Sequence, residues 1–158
     1  MQTTYIETSV VSYLTARPSK NIIIAGHQIV TKDFWEQIDT RSTFISELVL
    51  QEASKGDENA AKLRLNAVNN LKELEIDEEC KQLASLLIEQ SVIPKEFPED
   101  ALHIAVASVH GMDAIVTWNF KHINNPLLRR KIKVVVEESG YKCPELCSPE
   151  EFLGENYE

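Results

Sequence analysis

The chain has 158 residues, 43% hydrophobic and 26% charged, a balance that fits one soluble domain with a real core and excludes a disordered or fibrous protein. Its formal net charge of −9 excludes a protein that grips nucleic acid by bulk electrostatics, though not one that holds it through a metal. The N-terminus MQTTYIETSVV does not read as a signal peptide, no apolar run approaches the roughly 20 residues that cross a bilayer, and Cys80, Cys143 and Cys147 are too few and odd for a disulfide framework, so a cytoplasmic protein is expected.

Residues 3–6 are β-branched or aromatic and predict a first strand. Glu7-Thr8-Ser9 interrupts it before Val10, Val11, Tyr13 and Leu14 open a helix that Thr8 or Ser9 is able to cap. Glu7 then stands at the carboxyl end of the strand, the edge where open α/β sheets bind ligands. After a turn over 18–21, residues 22–38 suit a helix and also admit a short strand. The apolar run 43–45 predicts a second strand, followed by a helix over 46–53 that stops at Lys55-Gly56. Asp57 is placed to cap a helix over 58–69, residues 71–76 alternate as a third strand, and Asp77 is placed to cap a helix over 78–90 that turns Cys80, Leu83, Leu86 and Leu87 to the core.

Pro94 and Pro98 bracket a loop. The stretch PEDALHIAVASVHG then predicts a helix with Asp100 in its first turn and Gly111 at its end. Residues 112–116 form a short apolar run, a buried strand that Thr117-Trp118-Asn119 leaves at the carboxyl edge. The valine-rich residues 132–136 predict a further strand, with the basic run over 128–133 as a solvated face leading into it. Ser148-Pro149-Glu150-Glu151 combines an N-cap, a proline at the first helical position and a capping-box acid, and predicts a last short helix covering Phe152 and Leu153. Strands alternating with helices along the whole length predict a single domain over 1–158, a three-layer α/β/α sandwich around a central parallel sheet.

That topology brings Glu7, Glu52, Asp100 and Asn119 to one end of the sheet. Each has an ordinary explanation when taken singly: a helix-dipole acid for Asp100, a solvated residue for Glu52, a turn former for Asn119 and simple exposure for Glu7. Together, three carboxylates raise one another's pKa and persist most easily around a cation. All-oxygen ligands favour Mg²⁺ or Mn²⁺ over zinc, and such an ion can activate a water and neutralise charge on a phosphodiester. His103, one turn after Asp100, is placed to orient that acid or touch a phosphate, or else is a hydrogen-bonded core residue. Trp118 either packs at the end of its strand or stacks on a base. His27, His110 and His122 have no ligand spacing. Cys143 and Cys147 lack a second Cys/His pair at zinc-site spacing. There is no Gly-rich phosphate loop, no G-x-S-x-G elbow and no H-E-x-x-H.

The pattern Glu7-Thr8-Ser9-Val10 after a first strand, Ser46 followed by Glu52, Asp100-Ala101-Leu102-His103-Ile104-Ala105, and Thr117-Trp118-Asn119-Phe120 resembles the PIN domain, in particular the VapC-like toxins of bacterial toxin–antitoxin pairs. The likeness covers nearly the whole chain. It implies a metal-dependent ribonuclease in which Glu7, Glu52 and Asp100 bind Mg²⁺ or Mn²⁺, Asn119 completes the pocket, and Ser9 or Thr117 assists by hydrogen bonding. It also implies a homodimer and a small protein antitoxin that blocks the site. Two positions depart from the family pattern: the first acid, normally aspartate, is Glu7, and the fourth, often aspartate, is the neutral Asn119. Glu47 stands in for Glu52 if the helix register differs. The departures also admit a catalytically weak PIN-like module that binds protein or RNA. A phosphoacceptor signalling domain would need a lysine closing the strand at 112–117, and none is there.

Overall fold

The computed structural model describes residues 2–154. The stretch after Gly154, which the single-domain reading includes, lies outside the described residues. The described elements run β1 (Thr4–Ile6), α1 (Thr8–Thr15), α2 (Ile22–Gln37), β2 (Thr43–Ser46), α3 (Glu47–Ala53), α4 (Glu58–Val68), β3 (Lys72–Leu74), α5 (Glu78–Glu89), α6 (Pro98–Val109), β4 (Ala114–Val116), α7 (Pro126–Glu138), β5 (Glu145–Cys147) and α8 (Pro149–Leu153).

All strand pairs are parallel, in the order β3-β2-β1-β4-β5. The chain winds outward from β1 through β2 to β3, then crosses back to β4 and winds the other way. With right-handed crossovers, that reversal puts the two sets of helices on opposite faces. The helix contacts agree: α1 packs with α2, α3 and α4, and α2 with α8, while α5 packs with α6 and α7. The result is a three-layer α/β/α sandwich. β1 and β4 pair as Thr4 with Ala114, Tyr5 with Ile115 and Ile6 with Val116, and the strand order reverses between them. In doubly wound sheets the crevice beyond that switch point is where ligands bind.

The core is built from both layers. Tyr5, Ile6, Ile115 and Val116 of the sheet are fully buried, as are Ile104, Ala105, Val106 and Ala107 of α6. α6 is closed in almost all round, which explains why its sequence is nearly continuous in small and apolar residues. Its end is set by Gly111, whose φ of +69° is the left-handed conformation that stops a helix. Side-chain caps begin several helices: Asp57 accepts from the Ala60 amide, Asp77 from that of Cys80, and Ser148 shares a capping box with Glu151.

Three local expectations change. Residues 132–136 are not a strand but lie within α7, which Asn125 caps and Pro126 begins. Leu128, Ile132, Val135 and Val136 follow one another at helical spacing, so burial of that stripe overrides the β preference of the valines. The basic run therefore belongs to a helix surface, with Arg130, Lys131 and Lys133 exposed. The strand that flanks β4 is instead Glu145–Cys147, whose 3 residues are too short to register as a periodic run. At 22–38 the alternative resolves to helix throughout α2, with Asn21 accepting from the amides of Ile23 and Ile24. Thr8 and Ser9 do not cap α1. Glu7 holds the N-cap position, and no side chain caps the helix. Among the described residues no helix is long and apolar enough to cross a membrane.

Candidate functional site

Side chains alternate along a strand, so Tyr5 and Glu7 share one face of β1 and its extension. Glu7 is buried where β1 leaves the sheet, and its amide donates to the carbonyl of Val116 at 3.1 Å, which joins it to the end of β4. Its Oε1 accepts from Ser9 Oγ at 2.5 Å and from Thr117 Oγ1 at 2.6 Å. Ser9 and Thr117 are themselves held, for the Trp118 amide donates to Ser9 Oγ at 2.8 Å and the Asn119 amide to Thr117 Oγ1 at 2.9 Å. Ser9, one of the two hydroxyls placed to cap α1, is thus spent on a carboxylate.

Glu52, on α3, arrives from the β2 side. Its Oε1 accepts from Thr8 Oγ1 at 2.7 Å and from His103 Nε2 at 2.6 Å. His103 is fully buried, and its Nε2 also lies 4.0 Å from Glu7 Oε2. One ligand atom from each of Glu7, Glu52 and His103 lies within 4.8 Å of the others. Behind His103, Nδ1 meets the Tyr5 hydroxyl at 2.7 Å, and that hydroxyl meets Ser46 Oγ at 2.8 Å. Among the described residues no buried side-chain nitrogen or oxygen lacks a partner, so this polar chain carries no desolvation debt.

The electrostatics follow from the geometry. Burial works against charge on His103, but the hydrogen bond with Glu52 and the fields of Glu7, Glu52 and Asp100 outweigh it and raise the imidazole above its ordinary 6.5. Burial likewise works against ionised Glu52, and the His103 bond and charge, helped by Thr8, bring it below its ordinary 4.5. Both shifts favour an ion pair. A charged His103 donates from both nitrogens, to Glu52 and to Tyr5, and Tyr5 then donates to Ser46. Burial keeps the Tyr5 phenol well above its ordinary 10.0, so it remains a proton donor.

Asp100, in the first turn of α6, is reached from a different direction. His122 Nδ1 meets its Oδ2 at 2.8 Å, and the His122 amide donates to Asn119 Oδ1 at 3.0 Å. The structure therefore brings Glu7 and Glu52 directly together around His103, ties Ser9 and Thr117 to Glu7, and links Asp100 and Asn119 to the cluster through His122 and Thr117. His103 is a buried, hydrogen-bonded residue, and the acid that it holds is Glu52 rather than Asp100. Glu47 is exposed and hydrogen bonded to Gln51, so Glu52 is the acid of α3 that faces the cluster. Trp118 packs: it is buried, stacked on His27 at 4.1 Å, and donates from its indole to Thr31 at 2.8 Å.

Sequence reasoning missed Tyr5, Ser46, Thr8 and His122 as members of the site. The period of two in β1 was a usable signal for Tyr5. His122 had none, since its partner lies 22 positions away.

The chemistry of the donors fits a hard divalent ion. Hydrogen bonds fix Oε1 of both Glu7 and Glu52, which leaves Oε2 of each as a ligand atom, while Asp100 lies outside that group with its Oδ2 held by His122.

A parallel sheet in the order β3-β2-β1-β4-β5 with helices on both faces defines a doubly wound, three-layer α/β/α fold. No family model matches the sequence, and no curated protein does. Among solved structures the chain is similar to one described as the crystal structure of VapBC2 from Rickettsia felis bound to a DNA fragment from their promoter, with a TM-score of 0.54 and 17% identity over 79% of this chain and 94% of that one. At that identity the likeness shows the fold.

Proposed function

We propose that the protein is a metal-dependent endoribonuclease of PIN type, the toxin component of a toxin–antitoxin pair. The observation that carries the reading is the convergence of Glu7 and Glu52 on the buried His103 at the switch point, with Asp100 close enough for its charge to act on that imidazole. Glu7, Glu52 and Asp100 would hold Mg²⁺ or Mn²⁺. When bound, the ion supplies positive charge for a developing phosphorane and acidifies a water for attack on phosphorus. The protein's own part is positioning. Ser9 and Thr117 clamp Glu7, Thr8 and His103 clamp Glu52, and His122 orients Asp100, so the carboxylates meet their ligand without reorganising.

The likeness in fold to VapBC2 supports a small protein antitoxin as partner, and exposed apolar residues on α2, Ile22 and Ile23 at 87% and 69%, offer surface for that partner or for a homodimer. Purified protein with Mn²⁺ or Mg²⁺ is expected to cleave RNA, and Asp100→Asn to lower the rate at least about 100-fold with the fold intact by circular dichroism. Equal cleavage by the variant would refute the site.

A catalytically weak binding module is the second reading. It is favoured by Asn119, which is neutral and engages its side-chain oxygen with the His122 amide. Absence of divalent-ion binding at millimolar concentration would select it.

A further inference from the structure

Two large aromatic side chains near the carboxylates are partly exposed. Phe97, at the N-cap of α6, is 39% exposed, and Phe120, the residue after Asn119, is 46% exposed. Counted through contacts, Phe97 is one residue removed from Asp100, and Phe120 is two residues removed from Glu7. The Phe97 ring lies 4.3 Å from that of His122, which holds Asp100. Phe120 meets Trp118 edge-on at 5.9 Å, and the Trp118 amide holds Ser9, which holds Glu7. Lys121, between Phe120 and His122 in the chain, sets its ammonium 5.4 Å above the Phe97 ring.

Packing engages only part of each ring: Phe120 also lies 6.2 Å from the His27 ring, and both phenylalanines keep more than a third of their surface exposed. Trp118, two residues before Phe120, shows what a packed aromatic looks like here, buried and with its polar atom satisfied. A formal charge of −9 leaves little affinity to be drawn from phosphate neutralisation. A strand held at this site needs the cation and a contact indifferent to charge, and an aromatic face beneath an unpaired base is such a contact.

We propose that the exposed parts of Phe97 and Phe120 are stacking platforms for unpaired RNA bases next to the scissile phosphate, with the Lys121 ammonium, which sits over the Phe97 ring, close by for a backbone phosphate. The proposal rests on the ribonuclease reading and adds what the enzyme grips. A duplex, whose base faces are covered by their neighbours, cannot use the platforms.

The test is steady-state cleavage of a single-stranded RNA oligonucleotide in Mn²⁺. Phe97→Ala and Phe120→Ala are each expected to lower kcat/KM about tenfold with the loss falling in KM, and Phe97→Trp and Phe120→Trp to restore it. Phe→Leu at either position keeps an apolar side chain without a ring and is expected to behave as alanine does. Abasic sites flanking the cleaved bond should remove the difference between parent and alanine variants. If the parent cleaves RNA while the alanine variants keep its KM, the platforms are refuted and the ribonuclease reading stands. An unchanged KM with lost binding of a purified antitoxin would assign the rings to protein docking and refute the proposal in the same way. If the parent cleaves no RNA, both readings fall.

Discussion

Among the described residues two places bring three metal-capable groups together, and they are built differently. Asp77, Cys80 and His110 offer ligand atoms as close to one another as those of Glu7, Glu52 and His103. In the first cluster, however, each group already has a structural task. Asp77 caps α5 by accepting from the Cys80 amide at 3.0 Å, the Cys80 thiol is fully buried and pushed up to about 11 by that burial, and His110 Nε2 meets the Glu75 carbonyl at 2.6 Å. Two of the three are neighbours on one turn of helix, so their proximity follows from local geometry alone. In the second, Glu7 follows β1, Glu52 lies on α3 and His103 on α6. Both His103 nitrogens are engaged, but Glu7 and Glu52 each keep Oε2 while hydroxyls of Thr117 and Thr8 fix their Oε1. Proximity is cheap within a helix turn and informative across a fold.

The sharpest way to break this contrast is metal-linked stability. A ligand at 100 times its Kd stabilises a native state by about 2.7 kcal/mol, so Mn²⁺ should raise the unfolding temperature of the parent, and Glu7→Gln or Glu52→Gln should abolish the rise. Asp77→Asn and His110→Asn should keep it. A shift lost in the Asp77 or His110 variants would move the metal to the wrong cluster. Next in size, Tyr5→Phe strips one hydroxyl from the buried chain behind Glu52 and leaves His103 Nδ1 and Ser46 without their partner. Denaturant titration should show a loss of about 1–3 kcal/mol, and Mn²⁺ titration a roughly tenfold weaker affinity. Asp77→Ala removes only a cap and should lower the unfolding temperature by about 2–4 °C with metal affinity unchanged.

The smallest effect is a pH dependence of the metal-free protein. His103 titrates above its ordinary 6.5 when folded, so its contribution is complete below 6.5 and lost as pH rises through the raised value. Glu52 titrates below its ordinary 4.5, so its contribution is complete above 4.5 and lost as pH falls through the lowered value. The pair therefore stabilises fully between 4.5 and 6.5. His103→Gln should flatten the decline above that window in a thermal series.

How far residues announced these roles depended on whether the cause was local. Asp57, Asp77 and the Ser148-Pro149 pair do their work within a few positions, and their helices were readable from them. Glu7 and Asp100 could be assigned to one end of the sheet because strand and helix boundaries alone determine it. The failures were tertiary. The valines of α7 look extended until the partners of their buried stripe are known, and β5 exists only because β4 offers it a ladder of 3 paired residues. Thr8 and Ser9 sit where caps are common, and only the arrival of Glu52 and the turn of Glu7 show what their hydroxyls bind.

The alternation of Tyr5 and Glu7 along β1 carries a consequence for how this chain tolerates change. Tyr5 reaches His103 from inside the core, and Glu7 reaches the same imidazole from the crevice. A single inserted or deleted residue in β1 would swap that pair for its neighbours Thr4 and Ile6, emptying the core position and the acid position at one stroke. Substitutions can separate stability from chemistry here, but insertions cannot.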